Sequence, residues 1–101
     1  MAHPLYVAFI WHQHQPLYKS REAVTDASGQ YRLPWVRLHG TKDYLDLILI
    51  LERFPKLHQT INLVPSLILQ LEDYATGEGI DPYMGLTLTS VEQFNLAQKH
   101  Y

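Results

Sequence analysis

The sequence contains no cysteine, which excludes disulfide bonds, thiolate catalysis and cysteine-ligated metal sites. It also lacks an excess of positive charge: 8 Lys and Arg against 10 Asp and Glu give a formal net charge of −2 at pH 7 with histidine neutral. That balance provides no basic surface for nucleic acid or for an anionic membrane. The absence of cysteine is compatible with a reducing cytoplasm.

Long hydrophobic runs are absent too, because the uncharged apolar stretches are far shorter than the roughly 18 residues that a membrane-spanning helix requires. The amino terminus does not resemble a signal peptide. No Lys or Arg precedes the first apolar run, and histidines follow it where small cleavage-site residues would be needed. We therefore expect a soluble, cytoplasmic protein.

The chain does contain a buried-strand pattern that ends in polar residues. Residues 5–11 (LYVAFIW) run without a charge and are rich in β-branched and aromatic side chains. This composition is typical of a strand buried on both faces of a parallel sheet. Residues 12–16 (HQHQP) follow at once. Because ligand sites of α/β folds lie at the carboxyl ends of strands, we predict a site here.

The remaining pattern predicts an α/β order of elements. We expect a long loop over 13–40, a helix over 41–53, a strand over 60–64, a helix from 65 to 76, an irregular connection over 78–88 and a third helix from 89 onward. This order is the start of a parallel α/β arrangement. Two parallel strands cannot form a sheet buried on both faces, so we expect the opening piece of a larger domain.

Three details of these elements can be tested against the structure. The helix that begins at Pro65 carries an apolar stripe that includes Leu67 and Ile68, which places acidic neighbours such as Asp73 on its surface. In the long loop, Gly29 is the expected turn. The four residues Thr89-Ser90-Val91-Glu92 have the spacing of a capping box, which predicts the start of the third helix.

His12 and His14 are the first candidate site residues. Side chains two apart in an extended segment point to the same face. Two imidazoles there could hold a divalent metal, or exchange hydrogen bonds with a polar ligand, or simply pack. No spacing ties His39 or His58 to the pair, so we assign no metal ligand and no cofactor.

Residues 35–40 (WVRLHG) are the second candidate segment. Trp35 offers a flat apolar face that suits the C–H face of a sugar ring, although it could equally pin the long loop in place. Arg37 presents a fixed fork of donors for hydroxyl or carboxylate groups. Asn62, within the expected buried strand, needs hydrogen-bond partners and could point into the site.

Three segments in order resemble glycoside hydrolase family 57, which contains α-amylases, 4-α-glucanotransferases, branching enzymes and amylopullulanases. The first is FIWHQHQPLY, in which His-Gln-Pro stands at the end of the first strand. The segments LPWVRLHGTKDYLDLILILERFP and INLVPSLILQLEDY are similar to the α-amylase and amylopullulanase-like branch. The resemblance spans residues 5–74.

The resemblance implies an incomplete parallel (β/α)7 barrel of the α/β class, of which residues 1–101 are the amino-terminal segment. It also implies a retaining mechanism on α-1,4-glucans, in which two carboxyl groups lie about 5–5.5 Å apart. The family's glutamate nucleophile and aspartate acid/base are expected beyond Tyr101, so no residue here is assigned a catalytic role. Substrate binding is expected from His12, His14, Gln15, Trp35, Arg37 and His39.

The expected partners are an α-glucan and the remainder of the same catalytic domain, without nucleic acid or membrane. Two alternatives remain open at this point. One is a metal-dependent hydrolase, similar to amidohydrolases or deacetylases, that uses the pair His12 and His14. The other is a carbohydrate-binding remnant that has lost the catalytic carboxylates.

If the segment is an incomplete domain, the isolated 101-residue chain should aggregate or unfold without cooperativity. The physical reason is that its strand edges and apolar helix faces lack partners. Thermal unfolding followed by circular dichroism, with sedimentation to follow association, tests this expectation. A sharp cooperative melt of a monomer would contradict it.

Overall fold

The computed structural model describes residues 3–20 and 30–100. Two strands and four helices form in these ranges. They are β1 (Ile10–Gln13), α1 (Trp35–Thr41), α2 (Asp43–Leu51), β2 (Thr60–Leu63), α3 (Pro65–Thr76) and α4 (Pro82–Leu88). Two 3₁₀ turns, Val91–Gln93 and Gln98–His100, follow α4. The fold is therefore an α/β arrangement, as predicted.

The strands β1 and β2 pair in parallel, with Ile10 opposite Thr60 and Gln13 opposite Leu63. The expectation of parallel strands joined through helices is thus confirmed, and β2 lies where residues 60–64 predicted it. The first strand begins later than expected, since residues 5–9 lie outside it and are exposed. The length of β2 limits the length of β1, because the four residues of β2 can pair with only four residues of β1.

The sheet of β1 and β2 is largely exposed, which is consistent with the expectation that two parallel strands cannot form a sheet buried on both faces. Ile10 is 65% exposed and Leu63 is 45% exposed. Within the described ranges, the buried hydrophobic side chains are Tyr31, Val36 and Leu67. The radius of gyration is 19.2 Å, against about 13 Å for a compact domain of about 100 residues. The elements therefore pack around a small core and leave large apolar surfaces open.

The predicted loop over 13–40 is shorter than expected, because α1 occupies its last part. The loop is packed: its two arms meet at an antiparallel bridge between Lys19 and Tyr31, and the Ser20 amide donates to the Gln30 carbonyl at 2.7 Å. The expected turn at Gly29 lies outside the described residues.

The helix predicted over 41–53 is two helices, α1 and α2, separated at Lys42, whose φ of −134° and ψ of −75° are not helical. The sequence of α1 contains Trp, Val and Gly, which have low helix propensity, so its pattern did not predict a helix. Packing against α3 overrides that propensity. A Cβ on Gly40 would lie 2.6 Å from Leu71 Cδ2, so a larger residue at this position would require the Leu71 side chain to move.

The bounds of α3 are as predicted. Pro65 lies in its first turn, and Gly77 ends it with a φ of +83°. The buried face is different from the expected apolar stripe, because it consists of Leu67, Gln70 and Asp73, while Ile68 is 40% exposed. The prediction that Asp73 lies on the surface is therefore wrong. Polar neighbours that α3 must bind, described below, determine which face turns inward.

The expected irregular connection over 78–88 contains α4. Asp81 caps this helix, since its carboxylate accepts a hydrogen bond from the Met84 amide at 2.9 Å, and Pro82 follows as the first helical residue. An Asp-Pro pair of this kind is a recognised helix start. The prediction of a third helix from residue 89 is wrong, because the described residues after Thr89 form only 3₁₀ turns. The Ser90 hydroxyl contacts the Glu92 carboxylate there. None of the described helices is long and apolar enough to cross a membrane.

Asp81 joins three helices. Its fully buried carboxylate accepts hydrogen bonds from Arg37 Nε at 2.6 Å and Nη2 at 3.2 Å, and from the Tyr74 hydroxyl at 3.2 Å. Burial acts to raise the pKa of Asp81, but the bonds from Arg37, the Met84 amide and Tyr74 outweigh it and hold that pKa below its usual range. The carboxylate is therefore charged and ties α1 and α3 to the start of α4.

Asp73 joins the loop to α3 in the same way. Its carboxylate accepts hydrogen bonds from Lys19 Nζ at 2.6 Å and from the Tyr31 hydroxyl at 2.5 Å. These bonds lower the pKa of Asp73. The Tyr31 ring also packs on the Tyr74 ring, with centroids 4.8 Å apart. Both arms of the loop are thereby held against α3.

Replacing the buried carboxylate tests how far the helices depend on it. We expect Asp81→Asn to lower the free energy of unfolding of the full-length protein by about 2–4 kcal/mol, because the Arg37 guanidinium then faces a neutral amide. Asp46→Asn is the matched control, since its ion pair with Lys42 lies on the surface. Urea titration of both variants gives the comparison, and equal midpoints would contradict the role of Asp81.

The same carboxylates predict how stability depends on pH. Because folding lowers the pKa of Asp73 and Asp81, their contribution is complete above the ordinary aspartate pKa of about 3.9 and is lost as pH falls through the lowered values. We expect the free energy of unfolding to fall below about pH 4, with a smaller fall in Asp73→Asn. Urea midpoints measured from pH 6 to pH 2.5 test this, and an equally steep fall in the variant would refute it.

Candidate functional site

The pair His12 and His14 lies at the carboxyl end of β1. His12 is the third residue of the strand, and His14 is the first residue beyond it. Both side chains are exposed, and their rings stack with centroids 5.7 Å apart and planes inclined by 17°. The two imidazoles therefore lie on the same side of the chain, as their spacing predicts.

Asn62 lies beside this pair, because it is opposite His12 in the ladder between β1 and β2. It is exposed, so the expectation of a buried amide that needs protein partners is wrong. Its position next to His12 adds a second hydrogen-bonding side chain to the same sheet, near the end at which His14 emerges.

Gln15 is held between two tyrosines. Its Nε2 donates to the Tyr44 hydroxyl at 3.1 Å, and its Oε1 accepts from the Tyr18 hydroxyl at 3.2 Å. Neither tyrosine is among the site residues predicted from the sequence. A signal was available, since a half-buried tyrosine hydroxyl needs a hydrogen-bond partner and here both find the same amide.

Trp35, His39 and Tyr44 form a continuous row of rings, which we call the aromatic row. The Trp35 and His39 centroids are 6.0 Å apart, and those of His39 and Tyr44 are 6.1 Å apart. His39 Nδ1 also contacts the Asp43 carboxylate across the junction of α1 and α2. Through Tyr44 the row reaches Gln15, so the structure brings together three of the predicted site residues.

Trp35 is 44% exposed at the far end of this row. Part of its indole is thus open for contact with a ligand, while the stacked His39 limits its movement. Arg37 has a different environment from the other candidates. Its guanidinium is engaged by the buried Asp81 carboxylate through two hydrogen bonds, so the contact that the structure assigns to Arg37 is an internal one.

Two side chains of α3 support the segment after β1 and were missed from the sequence. The Ser66 hydroxyl donates to the Gln15 carbonyl at 2.8 Å, and the fully buried Gln70 bonds the backbone at Pro16 and Tyr18. No local signal distinguishes a glutamine that binds another segment from one that binds water.

The chemistry of this region is that of a polar binding surface. The imidazoles and the Gln15 amide offer donors and acceptors, and the Trp35 indole offers an apolar face. No group of three or more His, Asp or Glu side chains within residues 3–20 and 30–100 is placed to hold a metal ion. The surface is suited to a polyhydroxylated ligand.

Comparison with known proteins identifies the family of the chain. No curated protein and no solved structure gives a significant match. The sequence model of glycosyl hydrolase family 57 matches residues 8–101, which include the histidine pair, the aromatic row and all elements from β1 onward. This match confirms the resemblance that the sequence shows: the chain belongs to glycosyl hydrolase family 57.

Proposed function

We propose that this chain supplies the substrate-binding edge of a retaining glycoside hydrolase or transglycosylase that acts on α-1,4-glucans. Membership of glycosyl hydrolase family 57 supports a carbohydrate substrate. The observation that carries the proposal is the stacked pair His12 and His14, exposed at the carboxyl end of a parallel strand. This is where ligand sites lie in α/β barrels.

In this proposal His14 contacts the glucosyl unit at the cleavage subsite. Its exposed imidazole can exchange hydrogen bonds with sugar hydroxyls, and the parallel ring of His12 restricts its orientation. Gln15 is held by Tyr44 and Tyr18, so it forms a fixed wall next to His14. A fixed wall favours binding because little side-chain entropy is lost when the ligand arrives.

The aromatic row extends the proposed surface away from the histidine pair. Trp35 presents its open face to a further sugar ring, and His39 holds the indole by stacking. Arg37 supports this region from inside, since its ion pair with Asp81 fixes the helix that carries Trp35 and His39. The enzyme would then bind more than one glucosyl unit along this edge.

Bond cleavage in the proposal requires two carboxyl groups that lie beyond Tyr101. As the resemblance to the family implies, one is a glutamate nucleophile and the other is an aspartate acid/base, the two carboxyl groups that a retaining mechanism needs. The parallel pair of β1 and β2 with α3 would form the opening units of a (β/α)7 barrel. The carboxylates would come from the ends of later strands of that barrel.

Substitution of His14 tests the proposal. In the full-length enzyme we expect His14→Ala to lower kcat/KM on a maltooligosaccharide by about 100-fold, because it removes a hydrogen-bonding group at the reacting sugar. The matched control is His58→Ala, an exposed histidine that precedes the amino end of β2, whereas His14 follows the carboxyl end of β1. Reducing-sugar release and product chromatography give the rates.

The possible results separate the proposed function from the two alternatives. Unchanged activity in His14→Ala would refute the role of His14. Loss of wild-type activity in EDTA, with recovery on addition of zinc, would favour a metal-dependent hydrolase that uses His12 and His14. Binding of maltooligosaccharide without any turnover by the full-length protein would favour a carbohydrate-binding remnant.

A further inference from the structure

We propose that Ser66 and Gln70 of α3 are positioning residues for His14. Together they would bind the backbone on the carboxyl side of His14 and so determine where its imidazole lies. This inference rests on the proposed function only in using turnover as one of its measurements. Its origin is a set of hydrogen bonds between α3 and residues 15–18, a segment that has left the sheet.

The backbone carbonyls on both sides of His14 are bound by the junction of β2 and α3. The Val64 amide donates to the Gln13 carbonyl at 3.2 Å, and the Ser66 hydroxyl donates to the Gln15 carbonyl at 2.8 Å. Ser66 lies in the first turn of α3, which begins directly after β2. A side chain thus continues the hydrogen bonding that the ladder provides up to Gln13.

Gln70 extends the same support by one helical turn. Its Oε1 accepts from the Tyr18 amide at 2.8 Å, and its Nε2 donates to the Pro16 carbonyl at 2.9 Å. Nε2 also donates to the Ser66 carbonyl at 2.7 Å, which uses its second hydrogen within α3. The amide therefore pairs with the loop backbone as another strand would, with one donor and one acceptor.

Burial makes this arrangement sensitive to change. Gln70 is fully buried, so loss of either bond would leave a polar group without water to replace its partner. Few hydrophobic side chains near Gln70 are buried. On the inward face of α3, the buried hydrophobic residue is Leu67. Hydrogen bonds thus contribute much of what holds residues 15–18 on α3.

The imidazole of His14 is exposed, and its one ring contact among the described residues is with His12. Its position therefore depends on the backbone that carries it. A displacement of about 1 Å at a reacting centre can lower a rate by 100-fold. Release of the Gln15 carbonyl should act on turnover in this way, although Ser66 itself lies outside the proposed contacts with substrate.

The test compares substitutions in α3 of the full-length enzyme. We expect Ser66→Ala to lower kcat on a maltooligosaccharide by about 10-fold or more while KM changes little. Ser66→Thr, which keeps a hydroxyl, should restore kcat. Thr76→Ala is the matched control, because it removes a hydroxyl that bonds only to carbonyls of α3 itself, at Glu72 and Asp73.

Gln70 is tested with two variants of similar size. Gln70→Glu keeps an acceptor for the Tyr18 amide but places a carboxylate against the Pro16 carbonyl, and Gln70→Met removes both bonds. We expect a lower kcat in both. If either fails to fold, as a change in near-ultraviolet circular dichroism would show, the Ser66 series decides the proposal by itself.

A double-mutant cycle separates positioning from a general loss of stability. If Ser66 acts through His14, Ser66→Ala should change kcat by less than about twofold in a His14→Ala background, because the group it positions is gone. An equal loss in both backgrounds would overturn the proposal. Rates of Ser66→Ala equal to those of Thr76→Ala would also overturn it.

A measurement without substrate tests whether Ser66 positions His14, independently of the proposed function. In NMR spectra of enzyme labelled at histidine, the His14 imidazole signals should shift in Ser66→Ala and stay in place in Thr76→Ala. Unshifted signals in Ser66→Ala would refute the positioning role. Shifted signals together with a wild-type enzyme that shows no turnover, or with unchanged activity in His14→Ala, would leave the positioning role intact and locate the failure in the proposed reaction or in the role of His14.

Discussion

The backbone of residues 15–18 lies outside the two-stranded sheet, and its polar groups that face α3 are hydrogen-bonded by side chains of that helix. This constraint explains why α3 turns Gln70 inward together with Leu67, where an ordinary amphipathic helix would turn apolar residues alone. The amide of Gln70 provides one donor and one acceptor to the loop. With the bond from Ser66 to the Gln15 carbonyl, they hold the segment that carries Gln15 on α3.

The same face of α3 continues with Asp73, and its neighbour Tyr74 contacts Asp81. Asp73 forms an ion pair with Lys19, which ties the loop to α3. Asp81 forms an ion pair with Arg37, which ties α1 to the start of α4, and the Tyr74 hydroxyl joins Asp81 to α3. Burial of a charge is unfavourable unless hydrogen bonds compensate it, and here Asp81 accepts from three other groups besides the Arg37 Nε. No described buried side-chain polar atom lacks a hydrogen-bond partner. The polar contacts therefore define one arrangement of loop and helices around a very small apolar core.

This arrangement connects the fold to the candidate site. The histidine pair is at the surface, while of the side chains that bind the backbone after it Ser66 is half-buried and Gln70 is fully buried. Gln15 connects the surface site to α3, because Ser66 binds its backbone carbonyl while Tyr44 binds its side chain. The aromatic row is in turn carried by α1 and α2, and Asp81 holds α1 through Arg37. A surface for binding a sugar chain would thus be supported by charges and amides beneath it.

The sequence by itself determined the features that depend on local chemistry. The bounds of α3 follow from Pro65 and Gly77, the position of β2 follows from a short β-branched run, and the shared side of His12 and His14 follows from their spacing. Its motif also pointed to glycosyl hydrolase family 57. Only the tertiary structure decided where β1 begins, because pairing depends on the length of β2. It also decided that α1 is helical, since contact with α3 overrides the low propensity of its residues. The inward face of α3 was decided in the same way, because the groups that Gln70 and Asp73 bind lie more than 40 residues away in sequence.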